Sequence, residues 1–167
     1  QERGLSPGVA AGYAMVPLAF GGVGSIVSGF LPMSIPRKWV AFGGFSGTAI
    51  LIFIIPHVPG VATAMILMGL ASFCSDLTMP ISWNTCVEIG KQYTATVAST
   101  MNMLGNFAGF VAPVVFGYIL GETNNNWTIV MYTMAAAAIV SATCWLFLDP
   151  DRHNGATDLP LEGAPEI

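Results

Sequence analysis

The chain has 167 residues, of which 54% are hydrophobic and only 8% charged, with a formal net charge of −4 and a mean hydropathy of +0.68. A soluble domain carries about a quarter charged residues, so this chain lacks the polar groups to cover its own surface, and a lipid bilayer is the solvent it suits. Five Lys and Arg spread along the chain do not make the basic patch that nucleic-acid binding requires.

No Asp, Glu, Lys or Arg lies between Arg3 and Arg37, between Lys38 and Asp76, between Lys91 and Glu122, or between Glu122 and Asp149. Crossing the hydrocarbon takes about 20 mostly apolar residues in a helix, so these intervals hold one, two, one and one spans. The break inside the second interval is Pro56-His57-Val58-Pro59-Gly60, with two prolines and a glycine. The sequence therefore predicts an all-α, polytopic membrane protein with five transmembrane helices at 9–33, 38–56, 61–86, 94–120 and 126–148, forming one bundle over 1–148. Residues 149–167 turn to Pro, Gly and acidic side chains and read as a disordered tail. Strands are excluded because barrel segments alternate polar and apolar, and these runs are apolar on both parities.

The first helix is too long, and lacks the basic leader, to be a signal peptide. The chain begins at Gln1, and five helices with the first entering from outside make an odd bundle; both features lead us to expect further helices upstream. Arg37 and Lys38 lie between the first and second helices, Lys91 between the third and fourth, and Arg152 after the fifth. Basic residues mark the cytoplasmic side, which puts the C-terminal tail inside and the GETNNN loop outside a multi-pass protein of the cell membrane. Arg3 is the single dissenter.

The third helix carries Ser75, Asp76, Thr78, Ser82, Trp83, Asn84 and Thr85 around Pro80. Irregular backbone is tolerated in a membrane where it is buried in protein or lines a cavity, and an intramembrane carboxylate is a functional candidate. Asp76 either carries protons or pairs with a cation during function, or it forms a buried structural pair.

On the fourth helix, at about 100° per residue, Asn102, Asn106, Gly109, Pro113 and Gly117 share one face, and Leu104, Phe107, Val111 and Val115 point the other way. Gly105-x-x-x-Gly109 and Gly117-x-x-x-Gly121 have the spacing that lets helices approach closely in lipid. The two amides either bond to neighbouring helices or line a wet substrate path. Cys74, Cys86 and Cys144 lack the paired spacing of a zinc site and read as packing residues. The Asn126-Trp127-Thr128 sequon lies too near the membrane to be an acceptor. His57 and His153 are expected on opposite sides of the membrane, and no nucleophile motif, phosphate loop or metal cluster occurs. We expect no enzyme, cofactor or metal.

The segment VEIGKQYTATVASTMNMLGNFAGFVAPVVFGYIL, Val87 to Leu120, resembles the acidic–Ile–Gly–x–basic loop, the Asn-Met-x-Gly-Asn helix and the Ala-Pro-x-x-x-Gly-Tyr exit of the major facilitator superfamily's C-terminal part. Within that superfamily it is similar to the anion:cation symporter branch, which includes organic-acid and sugar-acid uptake carriers. Glu2 to Ser6 with Ala11-Gly12 looks like the external loop and start of the eighth helix, and Pro17, Gly21, Gly24 and Gly29 like that helix's small-residue pattern.

The resemblance implies two six-helix bundles related by a pseudo-two-fold axis, with substrate held between them near the midplane. This chain would supply the last five helices, and its partner would be the N-terminal bundle of the same protein, surrounded by membrane lipid. The implied activity is transport of a small organic anion, such as a sugar acid or carboxylate, in symport with H⁺ or Na⁺ through alternating access. By position the implied substrate contacts are Ser82, Trp83 and Asn102, with Asn106 a turn further out. The family's carboxylate-binding arginine and proton-coupling acids lie in the first bundle, outside this chain. Gly29 to Lys38 departs from the family's Gly-x-x-x-Asp-Arg/Lys loop by keeping the basic residues and lacking the acid, so an inner gate is expected to rest on Arg37, Glu88 and Lys91. Two other readings stay open: a drug or metabolite exporter of the same fold, and a non-transporting membrane scaffold whose Gly and Asn face binds partners only.

Overall fold

A computed structural model of the protein describes residues 7–31 and 35–148. The expected disordered tail, Arg3, Arg152 and His153 lie outside the described residues. The described chain is helical: α1 (Pro7–Gly29), α2 (Arg37–Ile54), α3 (Val61–Asp76), α4 (Met79–Gly90), α5 (Thr94–Glu122) and α6 (Trp127–Phe147), with single 3-10 turns at Ile55–His57 and Lys91–Tyr93. Among the described residues there is no strand. Four helical stretches are long and apolar enough to cross a bilayer: Ala11–Gly29, Arg37–His57, Val61–Glu122 and Trp127–Phe147. The third is 62 residues long. It doubles back at Lys91–Tyr93, because α5 packs against α4, and so supplies two passes of this all-α polytopic fold.

Two expected helices differ from those observed. The first ends at Gly29, with Phe30 and Leu31 in a turn. The segment expected as one helix over 61–86 is two, α3 and α4, parted at Leu77-Thr78. The cause of this break is Pro80. It has no N–H to give to the carbonyl four residues back, which is that of Asp76. The turn closes instead through shorter bonds, Thr78 N–H to the Ser75 carbonyl at 3.1 Å and Thr78 Oγ1 to the same oxygen at 2.7 Å. The Asp76 carbonyl receives the Ser25 hydroxyl of α1 at 3.3 Å, so a neighbouring helix supplies the donor that proline removed.

That bond requires α1 to lie close to α3, and glycines allow it. A Cβ on Gly24 would collide with the Phe73 carbonyl, and one on Gly21 with the Asp76 carboxylate. From the other side α2 approaches the same segment, where a Cβ on Gly44 would sit 2.7 Å from the Cys74 carbonyl oxygen. Thr48 of α2 donates across the gap to the Ala71 carbonyl at 3.1 Å. The helices thus lie in the order α1, α3, α2, α6, each packed on the next, with α4 continuing from α3 and α5 laid against α4.

The core of this row is built from small side chains. Ala41, Ile81 and Trp145 join α2, α4 and α6, and Ile52, Ala71 and Ala135 join α2, α3 and α6. Small residues let backbones approach and replace the hydrophobic drive that lipid does not provide. The connections follow local chemistry. Gly60, at φ +97°, turns the chain into α3 in a region open chiefly to glycine. Asn124 and Asn125 hold the left-handed φ values 52° and 60° that asparagine tolerates. The sequon residue Asn126 caps α6, its side-chain oxygen accepting the Thr128 N–H at 3.1 Å.

Gly24→Ala is expected to destabilise the protein by about 1–3 kcal/mol through overpacking, read as a lower thermal unfolding midpoint in detergent. Gly22→Ala, where a Cβ meets nothing within 4 Å, is expected to leave that midpoint in place. Equal midpoints for the two variants would refute the close α1–α3 contact.

Candidate functional site

The start of α2 and the end of α4 meet at one end of the bundle. There Arg37 Nη1 donates to Glu88 Oε1 in an ion pair between side chains 22% and 23% exposed. The second carboxylate oxygen of Glu88 is buried without a hydrogen-bond partner. Arg37, Lys38 and Lys91 all belong to this end, the basic end of the bundle. Of the three residues expected to form a gate, Arg37 and Glu88 are together, whereas Lys91 stands exposed on the connecting turn with φ 44°. Its carbonyl accepts the Thr94 hydroxyl at 2.6 Å.

The polar cluster around Pro80 divides into groups spent on the helix and groups still turned outward. Thr78 bonds the Ser75 carbonyl, Ser82 the Thr78 carbonyl at 3.0 Å, and Thr85 the Ile81 carbonyl at 2.8 Å. Such back-bonding satisfies a hydroxyl in an apolar setting and leaves it little to offer a ligand. Trp83 is 39% exposed, and Asn84 faces a cavity of about 220 Å³ shared with Ser28 and Arg37. Asp76 sits partly buried against Gly21. Among the described residues the ion pair joins Arg37 and Glu88 and does not include Asp76.

On α5 the expected close approach has no partner among the described helices. No residue of this helix is buried. A Cβ on Gly105, Gly109, Gly117 or Gly121 would meet nothing within 4 Å, so no described helix occupies the small-residue face. Asn106 Nδ2 donates to the Asn102 carbonyl at 2.8 Å and lies 3.3 Å from Asn102 Oδ1. The two amides thus bond along their own helix, without a partner on another described helix. Contact between α4 and α5 runs through Cys86 Sγ and Met101 Sδ, 3.3 Å apart. That contact places Ser82 and Trp83 about one helical turn away along α4, with Asn102 directly after Met101. The four expected substrate residues therefore share one helical hairpin, with no hydrogen bond between those on α4 and those on α5.

Two features escaped the sequence reading. At the opposite end from Arg37, His57 Nε2 and the Tyr132 hydroxyl lie 3.0 Å apart, and Phe53 stacks on Tyr132 with centroids 5.1 Å apart. The one-turn spacing of Phe53 and His57 was the available signal, but the Tyr132 partner is distant in sequence. Ser28, the next-to-last residue of α1, is the other. Among the described residues no group of three His, Cys, Asp or Glu could hold a metal ion.

Comparison with known proteins gives this geometry a setting. The chain is 28% identical over 176 aligned positions to the "Probable sulfoacetate transporter" of Cupriavidus necator, an alignment covering 100% of this chain and 40% of that protein. It is 25% identical over 146 positions to the "Probable L-galactonate transporter" of Escherichia coli, covering 81% of this chain and 32% of that one. It is 28% identical over 134 positions to the "Hexuronate transporter" of Bacillus subtilis, covering 73% and 32%. All three relatives are organic-anion transporters by name, and the alignments cover 73% to 100% of this chain. It spans about a third to two fifths of the length of these relatives. No family profile and no solved structure matches it. The relatives are transporters rather than enzymes, and with the apolar helices they mark a multi-pass membrane protein.

The Arg37–Glu88 pair is expected to couple the two residues energetically. In a double-mutant cycle of Arg37→Gln, Glu88→Gln and both together, the double variant should lose less stability than the sum of the singles, by about 0.5–3 kcal/mol. Additive losses in thermal unfolding would show that the pair contributes nothing.

Proposed function

We propose that the native-length protein is a secondary transporter for a small organic anion, working in symport with H⁺ or Na⁺ by alternating access. The observation that carries this reading is the set of three relatives, one aligned along the whole chain, whose names give sulfoacetate, L-galactonate and hexuronate as cargo. These cargoes share a carboxylate beside further oxygen-bearing groups, and such compounds suit amide and hydroxyl partners. In this reading Asn102 and Asn106, on a face of α5 that no described helix covers, orient the substrate by hydrogen bonds, and Trp83 packs on its carbon face. Ser82 is a weaker participant, since its hydroxyl is already bonded to its own helix. An N-terminal bundle of the same protein would face this surface and supply the charge that neutralises the anion. The basic end faces the cytoplasm of the cell membrane, and the Arg37–Glu88 pair works as an inner gate contact. Asp76 is an ion-coupling candidate, since a carboxylate within a span with no described cation beside it suits reversible charging.

Reconstitution of the native-length protein in liposomes tests this. Labelled sulfoacetate, L-galactonate and a hexuronate are offered under an imposed pH or Na⁺ gradient. Saturable uptake of at least one, driven by one gradient and lost when that gradient is dissipated, is the expected result. No uptake above empty liposomes under either gradient would overturn the reading. Asn102→Ala should weaken substrate affinity roughly two- to tenfold, the worth of one hydrogen bond of about 0.5–1.5 kcal/mol, at unchanged membrane expression. Unaltered uptake kinetics would remove Asn102 from the site.

A further inference from the structure

The cavity at the basic end, about 220 Å³, is enclosed by the end of α1, the first turn of α2 and the start of α4. Three independent features of its wall favour negative charge. Arg37 is the charged side chain in it, and among the described residues no carboxylate lines it, because Glu88 holds Arg37 from outside the wall. The N-terminus of α2 opens on it, preceded by Pro36 and without a side-chain cap. A helix N-terminus presents N–H groups and the positive end of its dipole. Ser28 is nine-tenths buried in the wall, yet its hydroxyl has no hydrogen-bond partner among the described residues, and a buried polar group in that state calls for an explanation. Asn84 adds an exposed amide on the opposite wall.

From this arrangement we propose that the cavity is an oxyanion site that takes one carboxylate, sulfonate or phosphate group. It is separate from the α4–α5 residues assigned to the transported substrate. An oxyanion there meets a guanidinium, the end of a helix dipole and a hydroxyl donor that lacks a partner. Glu88 offsets part of the Arg37 charge, so binding is weak and sensitive to ionic strength. Two sources carry this chemistry: a dissolved oxyanion, or the headgroup of an anionic phospholipid. The site does not depend on the transport reading, and its test does not use uptake.

The test uses the native-length protein with its own cysteines replaced and Asn84→Cys introduced. The rate of alkylation by N-ethylmaleimide, a neutral reagent, is compared in sodium sulfate and in sodium chloride of equal ionic strength, and in phosphatidylglycerol against phosphatidylcholine. A slowing of about threefold or more by sulfate supports the site with a dissolved anion as its source. Slowing by phosphatidylglycerol alone supports it with a lipid headgroup as the source. In either case Arg37→Gln should abolish the protection. Ser28→Ala, which leaves the Arg37–Glu88 pair in place and so covers the case in which Arg37→Gln fails to fold, should reduce it by about half or more. Equal rates in all four conditions would overturn the proposal, as would protection that Ser28→Ala leaves undiminished.

Discussion

The bundle is organised around the Asp76 carbonyl, which Pro80 cannot satisfy. In water such a group would bind solvent; in a bilayer it needs a donor from the protein. Ser25 is that donor, and its reach sets how near α1 must lie to α3. That distance is attainable because Gly21 and Gly24 have no side chain to intrude. α2 closes on the same segment from the other side through Gly44 and the Thr48 hydroxyl. One proline thus accounts for a broken helix, an interhelical hydrogen bond and two glycine contacts.

The break also redirects the chain. By ending α3 at Asp76 and starting α4 at Met79, it lets the last residues of α4 reach the first residue of α2, where Glu88 meets Arg37. The cavity between Ser28, Arg37 and Asn84 lies in the angle this leaves. Beyond it α5 folds back against α4 with no buried residue. The row formed by α1, α3, α2 and α6 is consequently a packed platform, and the α4–α5 hairpin is the part with surface to spare.

The division of polar groups follows the same line. In the platform, hydroxyls are consumed by carbonyls: Ser25 on Asp76 and Thr48 on Ala71. On the hairpin, Trp83, Asn102 and Asn106 remain turned outward.

Much of the architecture was legible in the chain itself. Long intervals without charge dictated membrane helices, because a backbone in lipid can satisfy its own polar groups only by local bonding or full closure. The resemblance read from Val87 to Leu120 led to the same class of anion transporters as the relatives. Pro80 announced an irregularity in the third helix, although its effect was a complete break. What the sequence alone left open was which of several similar residues would be used. Gly21, Gly24 and Gly44 are packed, while Gly105, Gly109, Gly117 and Gly121, which have the four-residue spacing of contact glycines, meet no described helix. Arg37 selects Glu88, 51 positions away, and Lys91 is passed over. Those choices belong to the tertiary structure because helical periodicity reports which residues share a face, whereas a contact depends on how segments distant in sequence are set against one another.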